Sequence, residues 1–237
     1  MKKLPYLLVL SGLVSVPLAV SAEGSPITGN VGLYSDYAFR GVSQTAGDAA
    51  IQGGFDYAHS SGFYLGTWAS NVETGDLNGA NLELDVYGGY SGTAGEIGYN
   101  VGVLKYYYPG QGPAAATNID TLEAYAGVTY KGFGLKASYS TSDYFGVANS
   151  DGTVYWDASY SHELPAAVTL GLHYGYTAGQ GAVVDYADWK IGVSKEFTGV
   201  TVGLAYTDTD LPATLSAKGN GHDNADGRFI LSVSKSF

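Results

Sequence analysis

The chain has no cysteine among its 237 residues, which excludes a disulfide framework and a cysteine-ligated metal site. It also has no phosphate-binding loop, dinucleotide fingerprint or His/Cys zinc pattern, so we expect no cofactor and no metal. Charged residues make up only 14%, and the formal net charge of -11 argues against a nucleic-acid partner. These absences exclude the common cofactor-dependent enzymes and nucleic-acid-binding proteins.

Long hydrophobic runs are missing after residue 22, so no later segment is long enough to span a membrane as a helix. The apolar run over residues 4–20 follows two lysines and leads into the small residues Ser21 and Ala22, which is typical of a secretory signal peptide. A membrane helix is the alternative, but Pro5 and Pro17 interrupt the run. We predict a signal peptide over residues 1–22 and one domain over residues 23–237, with a formal charge of -11 - 2 = -13.

The C-terminal stretch, residues 228–237, alternates apolar and small polar residues like a β-strand with one apolar face. Only Lys235 breaks the apolar face. An apolar strand at the end of a chain leaves an open edge unless it pairs, and a barrel pairs its last strand with its first. The terminal strand of a soluble β-sandwich is the alternative.

Similar alternation recurs along the whole mature chain, while helical periodicity is hard to find. The 35 glycines, 21 tyrosines and 45% hydrophobic residues suit a barrel with an apolar outer face and small residues inside. We therefore predict an all-β fold, a transmembrane antiparallel up-and-down β-barrel of about 12 strands. The segments are residues 27–40, 49–59, 62–70, 81–92, 95–107, 119–131, 133–143, 153–163, 166–177, 187–197, 199–209 and 226–237.

The connections between these segments alternate between short turns and long links. The long links are expected at the cell surface and the short turns, with both termini, in the periplasm. Aromatic residues concentrate at the ends of the segments, as in pairs 63–64, 155–156 and the run 106–108, and predict interfacial girdles. Ordinary β-propensity and core packing are the alternative.

The face opposite the apolar set is small and polar, and it carries seven carboxylates and four basic residues. Charges at this depth are tolerated only where they face water or one another. They predict either a polar conduit with a mild negative bias or a cross-strand network that plugs the barrel. Inward aromatics likewise either border a narrow pore or lie over neighbouring glycines as fillers. The pore-lining candidates are Asp36, Arg40, Asp56, Glu83, Asp85, Glu123, Lys136, Asp157, His173, Asp188, Lys190 and Arg228.

Asp36 and Arg40 form the sharpest candidate pair for solute selection. Both have the same parity in the first segment, so we expect them to face the lumen roughly 13 Å apart along the strand. That separation is too large for an ion pair between them. Arg40 is expected at the outer mouth, either biasing ion entry or pairing with a loop carboxylate to fix the loop.

The first segment and its exit loop, residues 29–45 (GNVGLYSDYAFRGVSQT), resemble the N-terminal signature of the TorF family of porins, also known as Gcw_chp-type conserved hypothetical proteins. Residues 106–110 (YYYPG) resemble a second, less specific feature of that family. The final Phe237 resembles the signal that the barrel-assembly machinery of bacterial outer membranes reads, although Lys235 stands where an apolar residue is usual. The resemblance implies an outer-membrane barrel that acts as a porin.

The sequence therefore predicts a channel in the bacterial outer membrane, in contact with lipid and lipopolysaccharide, for passive diffusion of a small polar or cationic solute. A closed barrel whose surface loops bind a partner is the alternative. A lipid-modifying barrel enzyme ranks third: His59 and Ser61 have suitable spacing, but they lie in an expected periplasmic turn without an obvious third partner. We expect no enzymatic activity.

Overall fold

The computed structural model describes residues 26–75, 77–112, 118–216 and 223–237, so the predicted signal peptide lies outside the described residues. No described helix is long and apolar enough to cross a membrane. Two short 3-10 helices span Tyr144–Gly146 and Pro165–Ala167. The strands are β1 (Ile27–Tyr34), β2 (Ala38–Phe39), β3 (Val42–Ser43), β4 (Ala50–Ala58), β5 (Phe63–Asn71), β6 (Leu82–Ala94), β7 (Ile97–Tyr107), β8 (Thr121–Tyr130), β9 (Phe133–Ser140), β10 (Val154–Leu164), β11 (Val168–Ala178), β12 (Tyr186–Phe197), β13 (Val200–Thr209) and β14 (Arg228–Ser236).

Twelve of these strands, all except β2 and β3, form one closed antiparallel barrel in which sequence neighbours pair in order. The ring closes where β1 pairs with β14, with Val31 opposite Lys235 and Leu33 opposite Val233. This pairing removes the open edge that the C-terminal strand would otherwise present. The predicted twelve-stranded up-and-down barrel is confirmed.

The outer surface of the barrel is apolar, as a transmembrane strand requires. Phe229 is 70% exposed, Phe63 62% and Leu33 60%. In each of their strands, the residues that alternate with the exposed ones face inward. In water such a surface would drive aggregation, but in lipid it is the stable arrangement. The alternation of side chains therefore sorts the chain into a lipid-facing and a lumen-facing set.

Much of the interior is filled by tyrosine rings that lie over glycines of neighbouring strands. A Cβ atom added to Gly66 would lie 2.6 Å from Cζ of Tyr87, and one added to Gly102 would lie 2.7 Å from Cζ of Tyr125. The ring of Tyr155 covers Gly175 in the same way. Glycine is needed at these positions because any side chain would displace the ring. Of the two interpretations of the inward aromatics, the structure favours the fillers.

Two expectations from the sequence are corrected here. The first strand ends at Tyr34, so the segment predicted over residues 27–40 continues six residues too far. The aromatic ends form girdles only in part, because neighbouring residues in a strand point to opposite faces. The outward members include Phe63, Tyr107, Tyr130, Phe133, Trp156 and Trp189, whereas the buried, inward members include Tyr64, Tyr106, Tyr108, Tyr155 and Tyr186.

Phe237 extends the closing pair of strands beyond β14. Its backbone exchanges two hydrogen bonds with Gly29, of 2.8 and 2.9 Å, and its ring lies where a Cβ atom at Gly29 would be. Deleting Phe237 should remove about 1–3 kcal/mol of barrel closure, because two net backbone hydrogen bonds are lost. We expect less folded, heat-modifiable protein in the outer-membrane fraction. Phe237→Tyr, which keeps the backbone and the ring, is the control, and an unchanged yield after the deletion would contradict the expectation.

Candidate functional site

A short hairpin enters the lumen directly after β1, and we call residues 36–45 the lumen hairpin. β2 and β3 pair antiparallel, and the two residues between them, Arg40 and Gly41, have φ values of +47° and +82°. Two successive positive φ values characterise the type I′ turn, which suits the twist of a two-residue hairpin. Glycine is required at position 41, since a Cβ atom there would lie 2.7 Å from the Cβ atoms of Asp188 and Thr209. The tip of the hairpin therefore contacts the barrel wall at β12 and β13.

Arg40 adopts a positive φ that a side chain other than Asn, Asp or Gly rarely takes, at a cost on the order of 1–3 kcal/mol. Its Nη2 donates to both carboxylate oxygens of Glu123 on β8 at 2.9 Å, and its Nη1 donates to the Tyr144 hydroxyl at 3.1 Å. The guanidinium also lies 4.2 Å from the ring centroid of Tyr155. The side chains of Arg40 and Glu123 are only 2% and 1% exposed. The strained backbone is thus offset by a buried, charge-assisted contact across the lumen.

The base of the hairpin is held by Asp36. Its carboxylate accepts hydrogen bonds from the hydroxyls of Ser43 at 2.6 Å and Thr45 at 2.8 Å, and from the Arg228 guanidinium at 2.8 Å. Arg228 in turn donates to the backbone carbonyls of residues 223 and 224. This cluster joins the exit of β1 to β14, so the hairpin is fixed at both its base and its tip.

The flank of the hairpin packs on β5 to β8 through tyrosines and carboxylates. The hydroxyls of Tyr37 and Tyr108 donate to Glu83 at 2.9 and 3.0 Å, and Tyr106 donates to Glu123 at 3.3 Å. Burial raises the pKa of the Tyr37 phenol well above its ordinary value, and the negative charge of Glu83 raises it further. The Tyr37 phenol therefore stays protonated and acts as a donor to Glu83.

The opposite wall, from β9 to β12, carries a second charged cluster centred on His173. Its Nε2 lies 2.8 Å from a carboxylate oxygen of Asp188 and its Nδ1 lies 3.3 Å from Asp157. Lys136 is paired in register with Asp157, and Lys190 with His173. Acidic and basic groups alternate on this wall, so their charges largely offset one another.

The remaining predicted residues are Asp56 and Asp85. Asp56 accepts a hydrogen bond from the Tyr87 hydroxyl at 2.6 Å, whereas Asp85 is buried and neither of its carboxylate oxygens has a hydrogen-bond partner among the described residues. All twelve candidates therefore lie on the inner wall or in the lumen hairpin, at most partly exposed. Whether they line a conducting pore stays a prediction.

The positions of Asp36 and Arg40 differ from those expected. Neither belongs to a strand of the barrel, since both lie beyond the end of β1 in the lumen hairpin. Arg40 does not pair with a loop carboxylate, because the I′ turn directs it to Glu123, the third residue of β8. It fixes the hairpin rather than the surface loop.

Several contributors to this site were not among the sequence candidates: Ser43, Thr45, Tyr37, Tyr106, Tyr108 and Tyr144. One signal for the hairpin was present, namely the Arg40-Gly41 step between the short segments Ala38–Phe39 and Val42–Ser43. A glycine at the second turn position is typical of a type I′ hairpin. The tyrosines carried no comparable local signal.

Beneath the hairpin, the space left between it and the wall is a cavity of about 20 Å³, lined among others by Tyr34, Gln52 and Ile230. That volume holds about one water molecule. The hairpin therefore leaves little free space between itself and the wall at this cavity.

Arg40→Met should release the hairpin, because it leaves Glu123 buried without a compensating charge, at a cost of about 3–5 kcal/mol. We expect chymotrypsin to cleave the folded variant after Tyr37 or Phe39, sites that are protected in the parent protein. The double variant Arg40→Met/Glu123→Gln removes the stranded charge as well and should recover most of the protection. A single variant as resistant as the parent would show that the ion pair does not hold the hairpin.

Comparison with solved structures finds the same architecture in porins. A structure entitled "KdgM porin" superimposes with a TM-score of 0.55 at 9% identity, covering 89% of this chain and 98% of that one. A NanC porin structure gives a TM-score of 0.54 at 13% identity with the same coverage. A KdgM porin in complex with disordered oligogalacturonate gives 0.53 at 8% identity. At such low identity these likenesses establish the fold alone.

No curated protein matches this chain. A family profile described as "Bacterial protein of unknown function (Gcw_chp)" matches residues 19–237. The match confirms the Gcw_chp part of the resemblance and leaves the TorF designation a prediction. Because the match covers the whole of the predicted mature chain, the protein belongs to the Gcw_chp family.

Proposed function

We propose that this protein is an outer-membrane, porin-like channel for passive diffusion of small polar or cationic solutes, and that a solute passes only when the lumen hairpin is displaced. The observation that carries the proposal is a closed, lipid-facing barrel whose interior is lined by charged side chains. Burying this many charges is costly in a merely structural barrel, whereas a water-filled path solvates them. The porin fold of the similar structures is consistent with it.

The preference for cations follows from the balance of inward charges. Seven candidate carboxylates face two arginines, two lysines and one histidine, a formal balance of -7 + 4 = -3 with the histidine neutral. Rings of carboxylates favour cations in channels. An acidic chain such as the oligogalacturonate of the KdgM complex would meet repulsion here.

The hairpin also supports a second candidate function, a closed barrel whose surface loops bind a partner. Its two buried attachments, Asp36 to Arg228 and Arg40 to Glu123, would suit a permanent plug. A lipid-modifying enzyme has less support: His59 Nδ1 lies 2.6 Å from the Ser61 hydroxyl, but both are exposed in a short turn at the end that carries the termini. Lipid, lipopolysaccharide and the barrel-assembly machinery are the partners we propose.

Replacing residues 37–43 by a short Gly-Ser linker tests the channel proposal directly. Removing the hairpin should widen the narrowest level of the lumen. Single-channel conductance in planar bilayers should therefore rise several-fold. The matched control replaces residues 212–215, in the last long loop, with the same linker and should leave conductance near that of the parent.

Two results would contradict the proposal. If neither the parent nor the hairpin-replaced variant conducts although both fold, the result supports the closed barrel instead of the channel. If the two proteins conduct equally, solutes do not pass where the hairpin lies.

A further inference from the structure

Asp85 is the most unusual side chain in the lumen. It is 1% exposed on β6, and both of its carboxylate oxygens lack a hydrogen-bond partner among the described residues. Its register neighbours on the adjoining strands are Trp68 and Tyr106, so aromatic residues flank it on both sides. A buried carboxylate without a donor or a counter-ion is among the most costly groups a protein can contain.

The donors near Asp85 already serve two other carboxylates. Glu83 receives the hydroxyls of Tyr37 and Tyr108, and Glu123 receives the guanidinium of Arg40. Glu83 lies two residues before Asp85 on β6, so both side chains are on the inner face of the strand. Glu83 and Glu123 thus have hydrogen-bond donors, whereas Asp85 has none among the described residues.

Asp85 also lies near the long-loop end of the barrel. It is the fourth residue of β6, which begins at Leu82 after a long loop, and Glu123 is likewise the third residue of β8. Arg40, at the tip of the lumen hairpin, contacts Glu123 at this same level. Asp85 and the tip of the lumen hairpin therefore lie at a similar level of the barrel.

We propose that Asp85 is the binding residue of a lumenal site for a small monovalent cation, either an alkali ion or the ammonium group of a small solute. A single carboxylate with aromatic flanks suits a monovalent cation, since ring faces attract ammonium and alkali ions. A chelated divalent ion is not favoured, because no group of three or more His, Asp or Glu side chains within the described ranges could hold a metal ion. The proposed cation binding does not depend on the channel function. Only the role of Asp85 in ion selectivity rests on the proposed channel function.

The test is cation-dependent thermal stability of the purified, folded full-length protein, read from heat-modifiability on gels. Potassium chloride, methylammonium chloride and N-methyl-D-glucamine chloride are compared at equal ionic strength. A small cation bound only by the folded barrel should raise the unfolding midpoint by about 2–4 °C relative to the bulky N-methyl-D-glucamine. A rise with potassium alone assigns an alkali-ion site, and a rise with methylammonium assigns an ammonium site.

Asp85→Asn should abolish this difference while folding normally, because it removes a buried charge and keeps the shape. Asp85→Leu, of similar bulk, serves the same comparison if the amide variant folds poorly. The matched control is Glu163→Gln, the same change from acid to amide at an exposed position of β10, which should keep the parental response. Equal midpoints in all three salts, or a response that survives in the Asp85 variants, would overturn the site.

Reversal potentials under a potassium chloride gradient separate this proposal from the channel proposal. If the parent conducts, Asp85→Asn should lower the ratio of potassium to chloride permeability and Glu163→Gln should not. An unchanged ratio would overturn the role of Asp85 in selectivity. If the parent never conducts but its stability still depends on small cations through Asp85, the channel proposal fails and the binding site stands.

Discussion

The lumen of this barrel is organised by one buried ion pair, Arg40 with Glu123. Its two groups belong to distant parts of the chain and have almost no contact with water. Desolvating both charges is costly, so the pair is favourable only while its geometry is intact and its remaining hydrogen-bonding groups are satisfied. Tyr144 and Tyr106 supply part of that support, whereas Nε of Arg40 has no hydrogen-bond partner among the described residues. The pair therefore gives the hairpin a single defined position rather than a large net stability.

The barrel around this pair is built to leave little free space. Tyrosine rings pack over glycines of neighbouring strands, and the hairpin lies among the charged residues of the inner wall. The two charged walls differ in kind: the one around His173 balances its charges, whereas the one around Glu83 and Asp85 keeps an excess of carboxylate. A displaced hairpin would thus expose an acidic surface on one side of the lumen.

The barrel was predictable from the sequence because its signals are local. Alternation and turn residues placed eleven of the twelve strands within three residues of their observed bounds, and the same parity placed Glu83, Asp85, Glu123 and Asp157 on the inner wall. The hairpin was missed because apolar and polar residues keep alternating past Tyr34, so the pattern does not mark where β1 ends. The partner of Arg40 was not predictable either, since it lies 83 residues away and depends on a turn that reverses the chain.

The most direct test of this account is a charge exchange across the lumen, with single-channel conductance measured in planar bilayers for Arg40→Glu, Glu123→Arg and the double variant. Each single change places two like charges together, which should drive the hairpin out and raise the open probability. The double variant restores opposite charges in the reverse order, so its open probability should return at least part of the way to the parental level. If the two changes alter the open probability additively and the double variant shows no recovery, the Arg40–Glu123 pair does not control the aperture.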